Sequence, residues 1–217
     1  MSLPVITDFP QASCHGLLAG PCGGLEAVVV PGERRVSAVI CHPHPLQEGT
    51  MHNKVVTTLH RTFHQLGVNT LRFNYRGVGE SAGEFADTVG EVEDCLSALS
   101  WLQQQRPEDE IWLAGFSFGA YIAAKVATLK GCQQLVTVAP PVHYPQFAQL
   151  PEIACPWILI QGDLDDVVSA KEVYAWCDQR QLKPELICLD DAGHFFHGKL
   201  VLLKQKLLEK LAPDHDA

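Results

Sequence analysis

The chain has 217 residues, 47% of them hydrophobic, which is enough for one substantial core, so residues 1–217 are expected to form a single domain. Its formal net charge of -9 argues against a nucleic-acid or anionic-membrane surface, since either would need clustered Lys and Arg to face phosphates. No stretch reaches transmembrane length, the first residues lack the basic start and apolar run of a secretory signal, and a cytoplasmic location is expected.

Two strand-like runs between Ala12 and Val30 flank the turn signal Ala19-Gly20-Pro21-Cys22-Gly23-Gly24, which predicts an antiparallel pair at a sheet edge. Val36 to Cys41 reads as a buried strand ending in His42-Pro43-His44-Pro45. A helix follows, with Val55, Val56, Leu59, Phe63 and Leu66 on one face and Gly67 as its stop. The strand Asn69 to Phe73 leads into the loop Asn74-Tyr75-Arg76-Gly77-Val78-Gly79-Glu80-Ser81. The next helix opens on a capping box, Thr88 to Glu91, buries Val92, Leu96, Leu99 and Leu102, and ends at Pro107.

Ile111 to Ala114 is a short apolar strand, and Ala120 to Ala127 is helix-prone; between them stands Gly115-Phe116-Ser117-Phe118-Gly119. A bare G-x-S-x-G is a weak signal, but strand, tight turn and helix are the flanks that hold a serine hydroxyl out of the core as a nucleophile. Strands at Gln134 to Val138, Trp157 to Ile160 and Glu185 to Leu189 follow. A second capping box is expected at Ser169 and Glu172, and a last helix carrying Phe195, Phe196, Leu200, Leu203, Leu207 and Leu211. Only about fifteen residues separate the Gln134 to Val138 strand from the next, too few for a helical cap. The tail from residue 212 onward is expected to be disordered.

Alternating strands and helices imply a mostly parallel sheet covered on both faces, whose working loops follow the strand carboxyl ends. Every unusual cluster falls in such a loop: the two His-Pro pairs, Asn74 to Ser81, the Ser117 elbow, Gly162-Asp163-Leu164-Asp165-Asp166, and Asp190-Asp191-Ala192-Gly193-His194. The eight cysteines contain no C-x-x-C pair and read as small buried hydrophobes. A zinc site at His42 and His44, or at His60 and His64, lacks the glutamate of H-E-x-x-H and any completing cluster, so no metal is expected. Gly77-Val78-Gly79 falls short of G-x-G-x-x-G, so no cofactor is expected and the loop reads as a structural turn beside the site.

The elbow, the Gly162 to Asp165 run, Gly193-His194 and His42-Pro43, in the order Ser, Asp, His, resemble the α/β-hydrolase superfamily over nearly the whole chain. The likeness is to its small bacterial members without a lid domain, akin to dienelactone hydrolase and short serine esterases. Dienelactone hydrolase uses a cysteine where this elbow carries serine. The resemblance implies an α/β-hydrolase fold with an antiparallel N-terminal edge, and Ser117 as nucleophile. Its Gly-x-x-Asp pattern picks Asp165 over Asp163 and Asp166 as the orienting acid. Its Gly-His pairing picks His194 over His197 as base. The oxyanion hole would use the N–H of Phe118 and, because Pro43 and Pro45 have none, that of His44, with Leu46 behind it. The expected reaction is hydrolysis of a small ester or thioester. Peptidase or amidase chemistry on the same fold, and a non-catalytic binding protein on this scaffold, are the alternatives.

Overall fold

The computed structural model describes residues 3–212, so the tail expected from residue 212 onward lies, but for Ala212, outside the described residues. Strands β1 (Cys14–Gly20) and β2 (Gly23–Val30) form the antiparallel hairpin; β3 (Val36–Cys41), β4 (Asn69–Phe73), β5 (Glu110–Phe116), β6 (Gln134–Val138), β7 (Trp157–Gly162) and β8 (Glu185–Leu189) complete the sheet. The order is β1-β2-β4-β3-β5-β6-β7-β8, with β3 to β8 parallel and β1 and β2 antiparallel at the edge.

The central strands read as unbroken apolar runs because both of their faces are buried. In β5, Ile111 and Leu113 enter the core on one face, and Trp112, Ala114 and Phe116 enter the core on the other. The first core is closed by α2 (Val89–Gln105), α3 (Phe118–Lys130) and α5 (Ala170–Asp178). The second is closed by α1 (Lys54–Gln65) and α6 (Leu200–Leu211). The chain thus leaves β3 through α1 on one face and β5 through α3 on the other. Neighbouring parallel strands whose exits diverge leave a crevice at their carboxyl ends.

Four local expectations are corrected. The C-terminal helix begins at Leu200, and Phe195 and Phe196 precede it in a turn, because Phe196 (φ 53) and Gly198 (φ 72) hold left-handed backbone. Ser169 caps α5 in position but its side chain makes no capping hydrogen bond. Of the eight cysteines only Cys41, Cys95 and Cys177 are buried, and all eight are free thiols. In α2 the buried face is Glu91, Asp94, Cys95, Ala98, Leu99 and Leu102, while Val92 and Leu96 are only half-buried. The four-residue helix α4 (Pro145–Ala148), in the β6 to β7 connection, has no periodic signal in the sequence.

Two acids sit on the buried face of α2 because each is fully occupied. Glu91 accepts N–H groups from Ala86 (2.9 Å) and Thr88 (2.8 Å). Asp94 accepts the Arg76 backbone N–H (2.9 Å) and its guanidinium at 2.8 and 3.1 Å, tying the loop after β4 to α2. Those hydrogen bonds raise the Arg76 pKa above its ordinary value. No helix among the described residues is long and apolar enough to cross a membrane.

Breaking a buried ion pair strands the surviving charge. Asp94→Ala should therefore lower stability by about 3–5 kcal/mol in urea unfolding. Glu93→Ala, which removes the exposed second partner of Arg76 at 3.1 Å, should change it by less than about 1 kcal/mol.

Candidate active site

Ser117 occupies the single residue between β5 and α3, with φ 54 and ψ -120. Positive φ in a non-glycine residue costs about 1–3 kcal/mol and persists only where the surroundings enforce it. They do so here. The Ser117 N–H donates to the Val138 carbonyl (2.9 Å), and its carbonyl accepts the Ala120 N–H (2.8 Å) as the first bond of α3. A methyl group on Gly115 would overlap the Gly119 carbonyl, and one on Gly119 would overlap the carbonyls of Cys41 and His42. Both glycines are therefore fixed by the contact of helix against strands.

The turn leaves the Ser117 hydroxyl half-buried and 3.1 Å from His194 Nε2. His194 Nδ1 lies 2.9 Å from Asp165 Oδ2. The carboxylate can only accept, so Nδ1 carries the proton and the Nε2 lone pair faces Ser117. Asp165 also accepts N–H groups from Val167 (2.9 Å) and Val168 (2.7 Å), and the Gln161 amide at 3.0 Å. Burial alone would raise the Asp165 pKa; the bonds from His194, Val168 and Val167 outweigh it and hold the carboxyl below its usual range. Asp163, Asp166 and His197 are exposed and lie outside this chain of hydrogen bonds. The imidazole is flanked by the rings of Phe116 and Phe195, at 5.0 and 5.1 Å.

Across the crevice runs the loop after β3. Among the described residues neither the Phe118 nor the His44 backbone N–H donates to a protein acceptor, whereas the alternative donor, Leu46, is engaged with His44 Nδ1 at 3.2 Å. The His44 ring packs on Phe118 (4.8 Å) and Phe85 (5.2 Å).

Residues 48–151 match the family model described as "Serine aminopeptidase, S33". A solved structure of an α/β serine hydrolase homologue from Coxiella burnetii is 47% identical, covering 94% of this chain and 100% of that one, with a TM-score of 0.92. A second, from Xanthomonas campestris and described as an α/β serine hydrolase without lid, is 39% identical over 95% of this chain and 98% of that one, with a TM-score of 0.89. An uncharacterised protein from Rickettsia prowazekii is 39% identical over 172 residues, 75% of this chain and 72% of that protein. The chain belongs to the α/β-hydrolase superfamily.

As in the structure described as lid-less, the β6 to β7 connection of this hydrolase holds only the short α4, with no inserted cap. A concavity of about 300 Å³ is lined by Thr50, His52, Asn53, Lys54, His197 and Phe195, the last with its ring 5.1 Å from that of His194. A wider one of about 640 Å³ opens at the amino ends of β6 to β8, around Gln134, Trp157 and Glu185. Its place at the opposite end of the sheet from Ser117 separates it from the crevice.

Two polar residues hold the site from behind in roles that no sequence signal reveals, although His42 stands in the His42-Pro43 pair. Gln161 ends a strand that reads as apolar. His42, fully buried, donates from Nδ1 to the Pro43 carbonyl (2.7 Å) and accepts the Tyr75 N–H at Nε2 (3.1 Å), stapling the loops after β3 and β4. On α1, His60 Nδ1 meets Thr70 Oγ1 at 2.8 Å. The loop from Asn74 to Ser81 is pinned as a structural turn. Glu26 takes the Asn74 amide (2.7 Å) and the Glu80 N–H (2.9 Å), and Ser81 Oγ donates to the Asn74 carbonyl (2.8 Å). No group of three or more His, Cys, Asp or Glu comes together as a metal site among the described residues.

Burial pushes the His42 pKa down to about 3. A folded-state value below the ordinary 6.5 means that the unfolded chain binds the proton first, so stability falls as pH drops from about 6.5 towards 3. His42 should account for a loss of about 1.5 kcal/mol between pH 6.5 and pH 5. Urea unfolding of His42→Gln across that range should show a flatter pH dependence than the native chain.

Proposed function

We propose that this chain is a serine carboxylesterase or thioesterase acting through an acyl-enzyme on Ser117, with His194 as general base and acid and Asp165 as the orienting carboxylate. The observation that carries the reading is the unbroken path from Ser117 Oγ through His194 to Asp165, with steps of 3.1 and 2.9 Å, on a strained elbow. His194 takes the hydroxyl proton as Ser117 attacks the carbonyl carbon, and returns it to the leaving group. Asp165, held ionised by its other donors, fixes the Nδ1–H tautomer and stabilises the imidazolium. The uncommitted N–H groups of Phe118 and His44 serve as the oxyanion donors, each contributing about 3–4 kcal/mol. Water then enters the open crevice and repeats the cycle on the acyl-enzyme.

The absence of an inserted cap favours small or flexible substrates that make little use of a deep tunnel. An amide substrate is the second reading, and what favours it is the aminopeptidase description of the matched model. Amine leaving groups demand protonation by His194 before departure, so amide turnover should be slower than ester turnover with the same acyl group.

A fluorophosphonate probe should label the folded chain at Ser117, and Ser117→Ala should abolish both labelling and turnover of p-nitrophenyl acetate. Asp165→Asn should keep the fold and lower kcat by about 10⁴-fold, through loss of the tautomer. Undiminished labelling of Ser117→Ala would overturn the assignment. Hydrolysis of an aminoacyl amide faster than the matching ester would favour the second reading.

A further inference from the structure

Two concavities, together a trough, lie along α1 and α6, and Phe195, whose ring is 5.1 Å from that of the candidate base, walls the first. The first, about 300 Å³, is bounded by Phe195 and His197 immediately after His194, and by Lys54 at the amino end of α1. The second, about 470 Å³, lies one helical turn on. Thr58, Arg61 and Gln65 line it from α1, and Leu200, Val201 and Lys204 from α6. Positions 54, 58, 61 and 65 share one helix face, so the trough runs about 16 Å along α1.

Its chemistry is unusual for a chain of net charge -9. Neither concavity is lined by Asp or Glu. Lys54, Arg61 and Lys204 form no ion pair among the described residues. Arg72, on the adjoining strand, has its pKa lowered by burial and further by Arg61, which places another positive charge against α1. Between the cations the trough presents apolar surface, including Phe195 at 47% and Val201 at 71% exposure. Lys54 and Arg61 are two turns apart, about 10 Å, so one carboxylate would reach only one of them. An extended arm carrying phosphate groups meets both, and the guanidinium fork suits phosphate oxygens.

We propose that the trough binds the leaving group of the substrate, and that this group is a thiol on an extended arm that ends in phosphate, as in a coenzyme A thioester. The proposal rests on the esterase or thioesterase reading of Ser117. Its direction follows from proton transfer: the group protonated by His194 departs on the His194 side, where the Phe195 ring beside that imidazole walls the first concavity. In the acylation step the Ser117 Oγ–acyl bond forms as the acyl carbon–sulfur bond breaks. The proton taken from Ser117 passes through His194 to the sulfur, and the free thiol leaves along α1.

Two measurements test this. In the first, the native chain hydrolyses acetyl-coenzyme A, S-acetylpantetheine and p-nitrophenyl acetate. The expected result is a kcat/KM about tenfold or more higher for the phosphorylated thioester than for its neutral counterpart, with the preference falling as ionic strength rises. Lys54→Gln and Arg61→Gln should each reduce that preference roughly three- to fivefold through KM, a larger effect on the phosphorylated thioester than on either neutral substrate. In the second, calorimetry on Ser117→Ala should show coenzyme A binding more tightly than pantetheine, and this difference should be lost in Ser117→Ala combined with Arg61→Gln. Equal treatment of the two thioesters, variants that slow all three substrates alike, or equal binding of coenzyme A and pantetheine would overturn the trough. Hydrolysis of p-nitrophenyl acetate with neither thioester turned over would overturn it while leaving the esterase reading intact. Loss of all turnover with the binding difference preserved would keep the trough as a phosphate-arm site and overturn the hydrolytic reading alone.

Discussion

The close crossing of α3 over β5 and β3 governs the rest of the molecule. The helix starts one residue after the strand ends, and that is possible only because Gly115 lies against the Gly119 carbonyl while Gly119 lies against the carbonyls of Cys41 and His42. Once those backbones touch, Ser117 has no choice of φ, the Phe118 amide is left without a protein acceptor among the described residues, and the loop after β3 is set beside the elbow. The strain of about 1–3 kcal/mol is offset by the burial of apolar residues of α3 itself, among them Ile122, Ala123, Ala124 and Val126. Local strain and global packing are coupled here, since the same helix that forces the turn supplies the core that stabilises it.

The loops around the serine are held by buried polar contacts as much as by apolar packing. Asp165 accepts from two backbone N–H groups and an amide besides His194; Asp94 clamps Arg76; Glu26 gathers three donors, including His15 at 2.8 Å; and neutral His42 joins two loops through both ring nitrogens. Each group is satisfied, which is what permits its burial. Loops have little apolar surface with which to fix their position, and such networks give them defined geometry at the crevice. Their sensitivity to pH follows, because Asp165 and Glu26, both held below the usual carboxylate range, must stay ionised and His42 must stay neutral.

The sheet was legible because its strands are short apolar runs between clear turn signals, and β3, β4, β6 and β8 have the bounds expected from the residues alone. The elbow was legible because its flanks carry meaning that the five-residue motif lacks. What escaped was of two kinds. Phe195 and Phe196 continue the apolar spacing of α6, and nothing in that spacing reveals that Phe196 and Gly198 adopt left-handed backbone, so the helix was extended too far forward. Buried polar residues have no period at all: Glu91 and Asp94 sit where a helical pattern assigns charges to solvent, and Gln161 and His42 gain their partners only when distant loops meet. The choice among Asp163, Asp165 and Asp166 rested on a motif, whereas in the folded chain burial and four donors distinguish Asp165 from its neighbours.

An open crevice shifts the burden of recognition. A lid would exclude water, strengthen electrostatic contacts and hold the substrate on both sides. With only α4 in the connection from β6 to β7, the serine faces solvent, and its preorganised surroundings must carry what a closing lid would add. Binding energy must then come from fixed surfaces beside the elbow. On one side of the crevice Phe118, His44 and Phe85 form one aromatic cluster; beyond His194 the face shared by α1 and α6 is the cationic and apolar one. That asymmetry is a consequence of topology. The chain exits β3 and β5 on opposite faces, so the two sides of the crevice are built from unrelated helices and are free to differ in charge.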